Sequence, residues 1–294
     1  RKPRDFVFVA NDQWPGIDDP ASEQVSGGEG GYGSYARPAT MGSGAGGYRG
    51  GAGGSALHLV AETLRVDGVL TMDGQKGSPG TGHGDYGGGG GAGGSILLEI
   101  DQMSGAGTVR ASGGAGGTGE RSYRRHGGGG GGGRIALLCK NTDFSGAWQA
   151  FGGLSGNDGS SSHPNLPFND GSAGTVYRDC DNDVDHLILN NGNRESPQNT
   201  IITDKEKTFF NITTLEIIKK ARVAFKPEAV EAPTWVRVDV LHHIGDKSGT
   251  LHVFNYTNVV LRDSNKVHGS ARVNTESFAT TVPHNELTGV VGSP

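Results

Sequence analysis

Closely spaced acidic side chains occupy the segment Arg178–His186. Asp179, Asp181, Asp183 and Asp185 stand at alternate positions. If the segment were one extended strand, the four carboxylates would project from one face and repel each other unless a cation lay among them. Calcium, which takes about six to eight oxygen ligands, is the natural candidate for such a cation. The alternative is a solvated acidic turn between repeats, and the segment lacks the central glycine and the terminal glutamate of an EF-hand loop.

The same segment also raises the question of catalysis. A lyase or hydrolase acting on polysaccharides needs clustered acids for proton transfer, and cationic side chains against substrate carboxylates. The acidic residues 179–185, with Arg178 or His186, could supply both. Because no second cluster is recognisable elsewhere in the chain, the sequence favours a protein that is not an enzyme.

The chain has two cysteines, Cys139 and Cys180. Each lies five residues after the residue that opens an apolar segment, Arg134 in one case and Thr175 in the other. Stacked parallel strands place equivalent residues about 4.8 Å apart, inside the Cα–Cα range of a disulfide. We therefore predict a Cys139–Cys180 disulfide, which would contribute about 3–4 kcal/mol by closing its loop. Two buried free thiols are the alternative.

Two sequons, which begin at Asn211 and Asn255, permit N-glycosylation if the chain passes through a secretory pathway. The apolar residues near each sequon impose a condition. Asn211 shares strand parity with Leu215 and Ile217, and Asn255 shares it with Leu251. In an unbroken strand each asparagine would therefore face the core. Each site requires a break in the strand between the sequon and its apolar neighbours.

Composition argues against several classes of partner. The formal net charge is −5 and no basic stripe is present, so nucleic acid is an unexpected partner. No run of about 18 apolar residues exists, and no membrane span is predicted. The glycine pattern at 42–47 satisfies a dinucleotide fingerprint only because glycine is so frequent, and it has no βαβ context. The histidines show no metal-ligand spacing.

Four glycine-led apolar segments repeat along the first part of the chain. Ser55 is followed by ALHLV, Ser95 by ILLEI, Arg134 by IALLC and Thr175 by VYRDC, at spacings of 40, 39 and 41 residues. Alternate residues carry the bulk, which is typical of a half-buried strand. A second short strand is predicted in each repeat, at 69–72, 108–111 and 147–150. A period of this length indicates stacked units that bury their apolar faces against each other.

Long glycine excursions, at roughly 75–94 and 112–133, separate these strands. Each contains a tyrosine (Tyr86 and Tyr123, with Tyr48 in a similar stretch) followed by a run of glycine. Such runs are either flexible coil or extended, polyproline-II-like segments whose backbones stack closely because glycine has no side chain. Repetition aligns the runs in space, so we predict ordered packing, with the tyrosines lying over the glycine layer.

Glycine becomes sparse after about residue 180. Residues 1–180 contain 48 of the 54 glycines. Beyond that point β-branched segments alternate with turn residues, which predicts further strands. These strands are expected at 186–189, 200–203, 215–217, 223–225, 236–240, 251–253 and 259–261. We divide the chain into a glycine-rich β-solenoid at 1–180 and a glycine-poor β region at 181–294. The second region either continues the β-helix or forms a β-sandwich.

The glycine-rich stretches resemble known repeats. GGGGGAGGSILLEI, MSGAGTVRASGGAGG and GGGGGGGRIALLC are similar to the repeats of large secreted surface glycoproteins, including tubular flagellar-hair (mastigoneme) proteins of algae and related adhesins. The resemblance covers about residues 30–180. It implies an all-β fold, a right-handed parallel β-helix with polyglycine II-like excursions, and an extracellular location.

These observations lead to an expected function. The chain is expected to be a structural extracellular glycoprotein module that assembles into a filament or surface layer, through copies of itself or other matrix proteins. An open solenoid end invites such association, and Phe6 and Phe8 are candidate contacts. The N-glycans are its expected attached groups, and calcium is its only candidate cofactor. A secreted polysaccharide lyase or hydrolase is the alternative, together with a glycan-binding or ice-binding adhesin, although Thr-x-Thr ladders and aromatic rows are not evident.

Overall fold

The computed structural model describes residues 7–10, 33–46, 49–80, 86–119, 126–156, 169–203, 208–225, 236–253 and 257–262. Within these ranges the chain is all-β, with fifteen strands, no α-helix and mainly parallel pairing. Interior glycine costs about 1 kcal/mol in a helix, which disfavours helices in the glycine-rich part. The alternating apolar segments supply the strands. The prediction of an all-β chain with parallel sheets is confirmed.

Three sheets contain all fifteen described strands. The eight-stranded sheet consists of β2 (Ala56–Arg65), β4 (Ser95–Ser104), β6 (Arg134–Thr142), β8 (Thr175–Cys180), β9 (Asp183–Asn190), β11 (Phe209–Ile218), β13 (Val236–Gly245) and β15 (Thr257–Leu261), adjacent in that order. A three-stranded sheet contains β3 (Val69–Thr71), β5 (Thr108–Arg110) and β7 (Ala147–Gln149). The third sheet has the order β1 (Val7–Ala10), β14 (Thr250–Val253), β12 (Arg222–Phe225) and β10 (Thr200–Ile202).

The glycine-led repeats stack in parallel register. Leu57 lies beside Ile96, Ile96 beside Ile135, and Ile135 beside Val176. Equivalent apolar residues of successive repeats therefore form continuous ladders, as the sequence period predicts. We refer to β2, β4, β6 and β8 as the N-terminal stack.

The strand direction reverses once within the large sheet. β8 and β9 pair antiparallel, with a two-residue turn at Asp181 and Asn182, and Cys180 lies opposite Asp183. From β9 onward the strands β9, β11, β13 and β15 are again parallel to each other. We refer to these four strands as the C-terminal stack. The change in glycine content near residue 180 thus coincides with a reversal of chain direction.

The two stacks have their main cores on opposite faces of the shared sheet. Val176 and its partner Ile188 pack in a core with the β3–β5–β7 sheet, which we call the first core. Tyr177 and its partner Leu187 belong to a second core, which packs against the sheet of β10, β12 and β14. Successive residues of a strand point to opposite faces, so adjacent positions contribute to different cores.

The short strand β1 lies far from its neighbours in sequence. It pairs in parallel with β14, and Val7 lies beside Thr250 and Ala10 beside Val253. The beginning of the described chain is therefore placed next to one of its last strands. Among the described strands, β1 and β10 are the two edges of that sheet.

Candidate functional site

The glycine excursions form an ordered hydrogen-bonded layer. Within one excursion the outgoing and returning runs are antiparallel: the N–H of Gly94 donates to the carbonyl of Met72 at 2.8 Å, and that of Gly91 to Gln75 at 2.9 Å. The N–H of Gly88 donates to Ser78 at 2.9 Å. The bonds recur every third residue, which is the repeat of a helix with three residues per turn.

Successive excursions are joined by the same kind of bond. The N–H of Gly90 donates to the carbonyl of Gly128, and that of Gly93 to Gly131, both at 2.9 Å. A second set of bonds joins the outgoing run of one excursion to the returning run of the excursion before it, and the N–H of Gly114 donates to the carbonyl of Gly91 at 2.8 Å. The backbone groups therefore find partners in several neighbouring runs, which satisfies them inside a buried layer. We call this arrangement the glycine layer.

At many interior positions of this layer only glycine fits. A Cβ atom on Gly114 would lie 2.0 Å from the carbonyl oxygen of Gln75, and one on Gly130 would lie 2.1 Å from that of Gly91. Both neighbours are main chain and cannot rotate away. The prediction of ordered glycine packing is confirmed. Of the recurrent tyrosines, Tyr86 is half-buried, whereas Tyr48 and Tyr123 lie outside the described residues.

A disulfide closes the N-terminal stack at its last strand. Cys139 and Cys180 are bonded, with their Cα atoms 4.5 Å apart, and they are directly paired between β6 and β8. The prediction from the repeat positions is confirmed. The bond lies next to the turn at which the chain reverses, so it fixes β8 in register immediately before the reversal.

The four aspartates do not line one face of a strand. The turn at Asp181 and Asn182 separates Asp179 from Asp183 and Asp185, so the expectation of a single straight strand is wrong and the acidic turn is what the structure contains. Asp179 accepts a hydrogen bond from the N–H of Asp185 at 3.3 Å, and Asp185 accepts one from the N–H of Thr213 at 2.9 Å.

The predicted calcium site is not formed in the described part of the chain. There, no group of three or more histidine, cysteine, aspartate or glutamate side chains is placed to hold a metal ion. Asp179 and Asp185 accept hydrogen bonds from backbone N–H groups, and Asp183 contacts Arg178 and His186.

A charged cluster does form beside the reversal. His186 lies between two carboxylates: Asp183 is 2.9 Å from its Nδ1 and Glu216 is 3.2 Å from its Nε2. Arg178 contacts Asp183 at 2.9 Å. The two acids flank opposite sides of the imidazole ring and do not converge on one point. The sequence indicated Arg178 and His186 as companions of the acidic segment, but Glu216 comes from β11 and no local pattern points to it.

Arg134 is a buried cation that the sequence did not single out. Its side chain is 2% exposed and its Nη2 donates to the carbonyl of Ile201 at 3.1 Å, linking β6 to β10. Burial lowers the pKa of Arg134 to about 10, so it remains charged at neutral pH. The three equivalent positions of the other repeats hold Ser55, Ser95 and Thr175, and that contrast was the only available signal.

A second charged group lies on the outward face of the C-terminal stack. Asp239 is paired with Arg237 at 2.8 Å and also with Arg262. Burial by itself would raise the pKa of Asp239, but the hydrogen bonds from the two guanidinium groups hold it below its usual value. Asp239 lies opposite Asn211 in the register of β11 and β13.

The described sequon is exposed. Asn211 and Phe209 are exposed, whereas Phe210 and Ile212 are buried. Leu215 is buried as well, so the alternation shifts by one residue between Ile212 and Leu215. β11 is continuous through this region, so the expected break in the strand is not present, and the shift in alternation exposes Asn211 instead. Asn255 lies outside the described residues.

The two candidate assembly residues fall in or beside β1. Phe8 pairs with Leu251 of β14, so one edge of its strand is occupied within the chain. Phe6 lies outside the described residues. The role of this segment in assembly stays a prediction.

Three comparisons with known proteins give no match for this chain. No family model matches it, and neither the curated proteins nor the solved structures yield a match. Within the described residues, no helix is long and apolar enough to cross a membrane.

Proposed function

We propose that the chain is a structural module of an extracellular assembly, built as a right-handed parallel β-solenoid with polyglycine II-like excursions. The glycine layer is the observation that carries this proposal. It spans at least three successive repeats through backbone bonds, so it uses the chain as building material in the way that the resemblance to flagellar-hair and other surface glycoproteins implies.

The positions of the two cores indicate that both stacks wind with the same handedness. The stacks advance in the same direction, but their strands run oppositely and their cores lie on opposite faces. Reversing both the strand direction and the face that carries the core is equivalent to a rotation of half a turn about the stacking axis. A rotation does not change the handedness of winding. Since parallel crossovers are right-handed in nearly all proteins, the arrangement supports right-handed winding throughout.

The end of the molecule at β2 supports assembly. Leu57 and Leu59 are only partly buried, whereas Ile96 and Leu98, at the same positions of the next repeat, are fully buried. Val60 nearby is 68% exposed. Among the described strands, β2 has only one neighbour, β4, although its residues have the apolar pattern of core positions. A further repeat from a neighbouring chain would complete these ladders.

Electron microscopy with matched variants tests the proposal. The secreted full chain is expected to form end-to-end assemblies, and Val60→Lys is expected to shorten them because it places a charge on the β2 end. Val184→Lys, at a comparably exposed position (51%) in the other stack, is the control. Monodisperse monomers at high concentration, or equal effects of both variants, would contradict assembly through β2.

A polysaccharide lyase or hydrolase is the second candidate, favoured by one observation. Asp183, His186 and Glu216 place two carboxylates and an imidazole in one partly buried cluster with Arg178. Such groups can transfer protons and bind uronic acids. Incubation with uronic-acid polymers tests this function, and Glu216→Gln would abolish product formation if the cluster is catalytic.

A further inference from the structure

Exposed apolar side chains surround the sequon asparagine on the outward face of the C-terminal stack. Phe209 is 50% exposed and Leu241 is 45% exposed. Phe209 and Asn211 lie on the same strand, two residues apart, with the buried Phe210 between them. Residues at this spacing project from the same face, with their backbones about 7 Å apart. An aromatic ring and a glycan acceptor are therefore neighbours in space.

We infer that an N-linked glycan on Asn211 packs its first sugar ring against the side chain of Phe209. The C–H face of a pyranose ring is apolar, and it would cover an aromatic face that the protein leaves in water. Burial of apolar area stabilises the folded state in proportion to the area removed from water. The inference rests on the proposed passage of the chain through a secretory pathway.

The attachment itself follows ordinary N-glycosylation chemistry. The amide nitrogen of Asn211 attacks the anomeric carbon of an oligosaccharide carried on a lipid diphosphate. The N–C bond forms as the C–O bond to the diphosphate breaks, the amide loses one proton, and the lipid diphosphate leaves. Thr213, half-buried, supplies the hydroxyl of the sequon.

The surroundings of Asn211 limit where the sugar can lie. Ile212 pairs with Val240 and Thr214 with His242, which places Leu241 beside Thr213 on the neighbouring strand. Opposite Asn211 itself, Asp239 is covered by its two arginine partners and forms a polar border. A sugar ring leaving Asn211 thus meets Phe209 along its own strand, with Leu241 as a second apolar contact.

The shift in strand alternation explains why this geometry exists. Ile212 and Leu215 are both buried, so two different residue parities face the second core on either side of Thr213 and Thr214. An uninterrupted strand that buried Leu215 would turn Asn211 and Phe209 inward together. The shift therefore exposes the acceptor and its aromatic neighbour as a pair.

A cycle of glycan removal and ring removal tests the inference. The full chain, in an Asn255→Gln background that leaves one sequon, is secreted from eukaryotic cells. Its thermal midpoint is measured before and after peptide N-glycosidase treatment. Glycan removal is expected to lower the midpoint by about 2 °C, and to convert Asn211 to Asp in the peptide mass. In the Phe209→Ala variant the same treatment is expected to lower it much less.

Ile244→Ala is the matched control, because Ile244 is exposed on a neighbouring strand but distant from the sequon in register. Its glycan-dependent shift should equal that of the parent. An unmodified Asn211 in the secreted protein, or an equal shift in the Phe209→Ala variant, would overturn the inference. If the glycan packs on Phe209 but the chain forms no end-to-end assemblies, only the proposed structural role is refuted. If assemblies form but the glycan does not pack on Phe209, only this inference is refuted.

Discussion

At the scale of single residues, backbone approach decides which side chains are tolerated. Gly114 and Gly130 sit where a methyl group would overlap a carbonyl oxygen of a neighbouring run. Gly68, which is also a glycine of the repeat region, has no atom within 4 Å of such a methyl group. Close backbone approach therefore requires glycine at positions such as Gly114 and Gly130, whereas Gly68 has no such requirement.

Alanine substitution should separate these two kinds of glycine. Gly114→Ala is expected to destabilise the fold by about 3 kcal/mol or more, because main chain must move to accommodate it. Gly68→Ala is expected to change stability by less than about 1 kcal/mol. Urea denaturation of both variants measures the difference. Similar losses in the two would show that the layer tolerates a methyl group.

A buried histidine should make stability sensitive to acid. Burial, together with the neighbouring Arg222, lowers the pKa of His252 to about 4. An unfolded histidine has a pKa of about 6.5, so the unfolded state takes up the proton first as the pH falls. As the pH falls from about 6.5 to 4, His252 therefore lowers the free energy of unfolding by on the order of 2 kcal/mol.

The expected signature is a flatter profile in His252→Gln. Stability would be measured by urea denaturation at several pH values across that window. His58→Gln is the control, because the His58 side chain is 55% exposed. If the stability of His252→Gln falls as steeply with decreasing pH as that of the parent, groups other than His252 cause the loss.

At the scale of elements, the turn between β8 and β9 changes the direction of the whole sheet. It also redirects the acidic segment, so that Asp183 meets Arg178 and His186 on the opposing strand and within β9. The disulfide from β6 to β8 lies one residue before this turn. The element that reverses the chain is thus anchored by a covalent bond on one side and by charged contacts on the other.

Loss of the disulfide should weaken this anchor. The paired variant Cys139→Ser with Cys180→Ser is expected to lose about 3–4 kcal/mol, since the bond closes a loop with a sequence separation of 41 residues. Denaturant unfolding under oxidising conditions measures the change. Reduction of the parent protein should produce a comparable loss, and no loss in either case would mean that the reduced chain is equally constrained.

At the scale of the whole molecule, one sheet serves two cores. Leu98 belongs to the first core and Leu215 to the second, and both are fully buried. Their strands β4 and β11 are separated by β6, β8 and β9. These two residues are therefore separated by three strands and lie in different cores, although every strand of the large sheet is hydrogen-bonded to the next.

Truncations in the two cores should act independently. Leu98→Ala and Leu215→Ala are each expected to cost about 2–5 kcal/mol. Because the sites share no packing partner, the double variant should equal the sum of the two within about 0.5 kcal/mol. Denaturant titrations of the four proteins measure the coupling. A large deviation from additivity would show that the shared sheet transmits strain between its faces.

Local patterns in the sequence determined the strands, their repeat and the cysteine pairing. Alternation marks a strand because side chains alternate across a sheet, and a fixed period places equivalent residues such as Cys139 and Cys180 side by side. The order of the glycine runs was also predictable, since repetition brings similar backbones together. These inferences depend on residues close in sequence or equivalent by repeat.

The direction of the chain after β8, the use of both sheet faces and the contacts of the acidic segment follow from long-range packing and not from any local pattern. The aspartate spacing alone was compatible with a straight strand or a turn, and the turn removed the calcium arrangement. Glu216 meets His186 across a separation of 30 residues, and Ile201 meets Arg134 across 67. Phe209 is exposed through a shift in alternation. Such contacts depend on the balance of packing over the whole fold, which no short window of sequence contains.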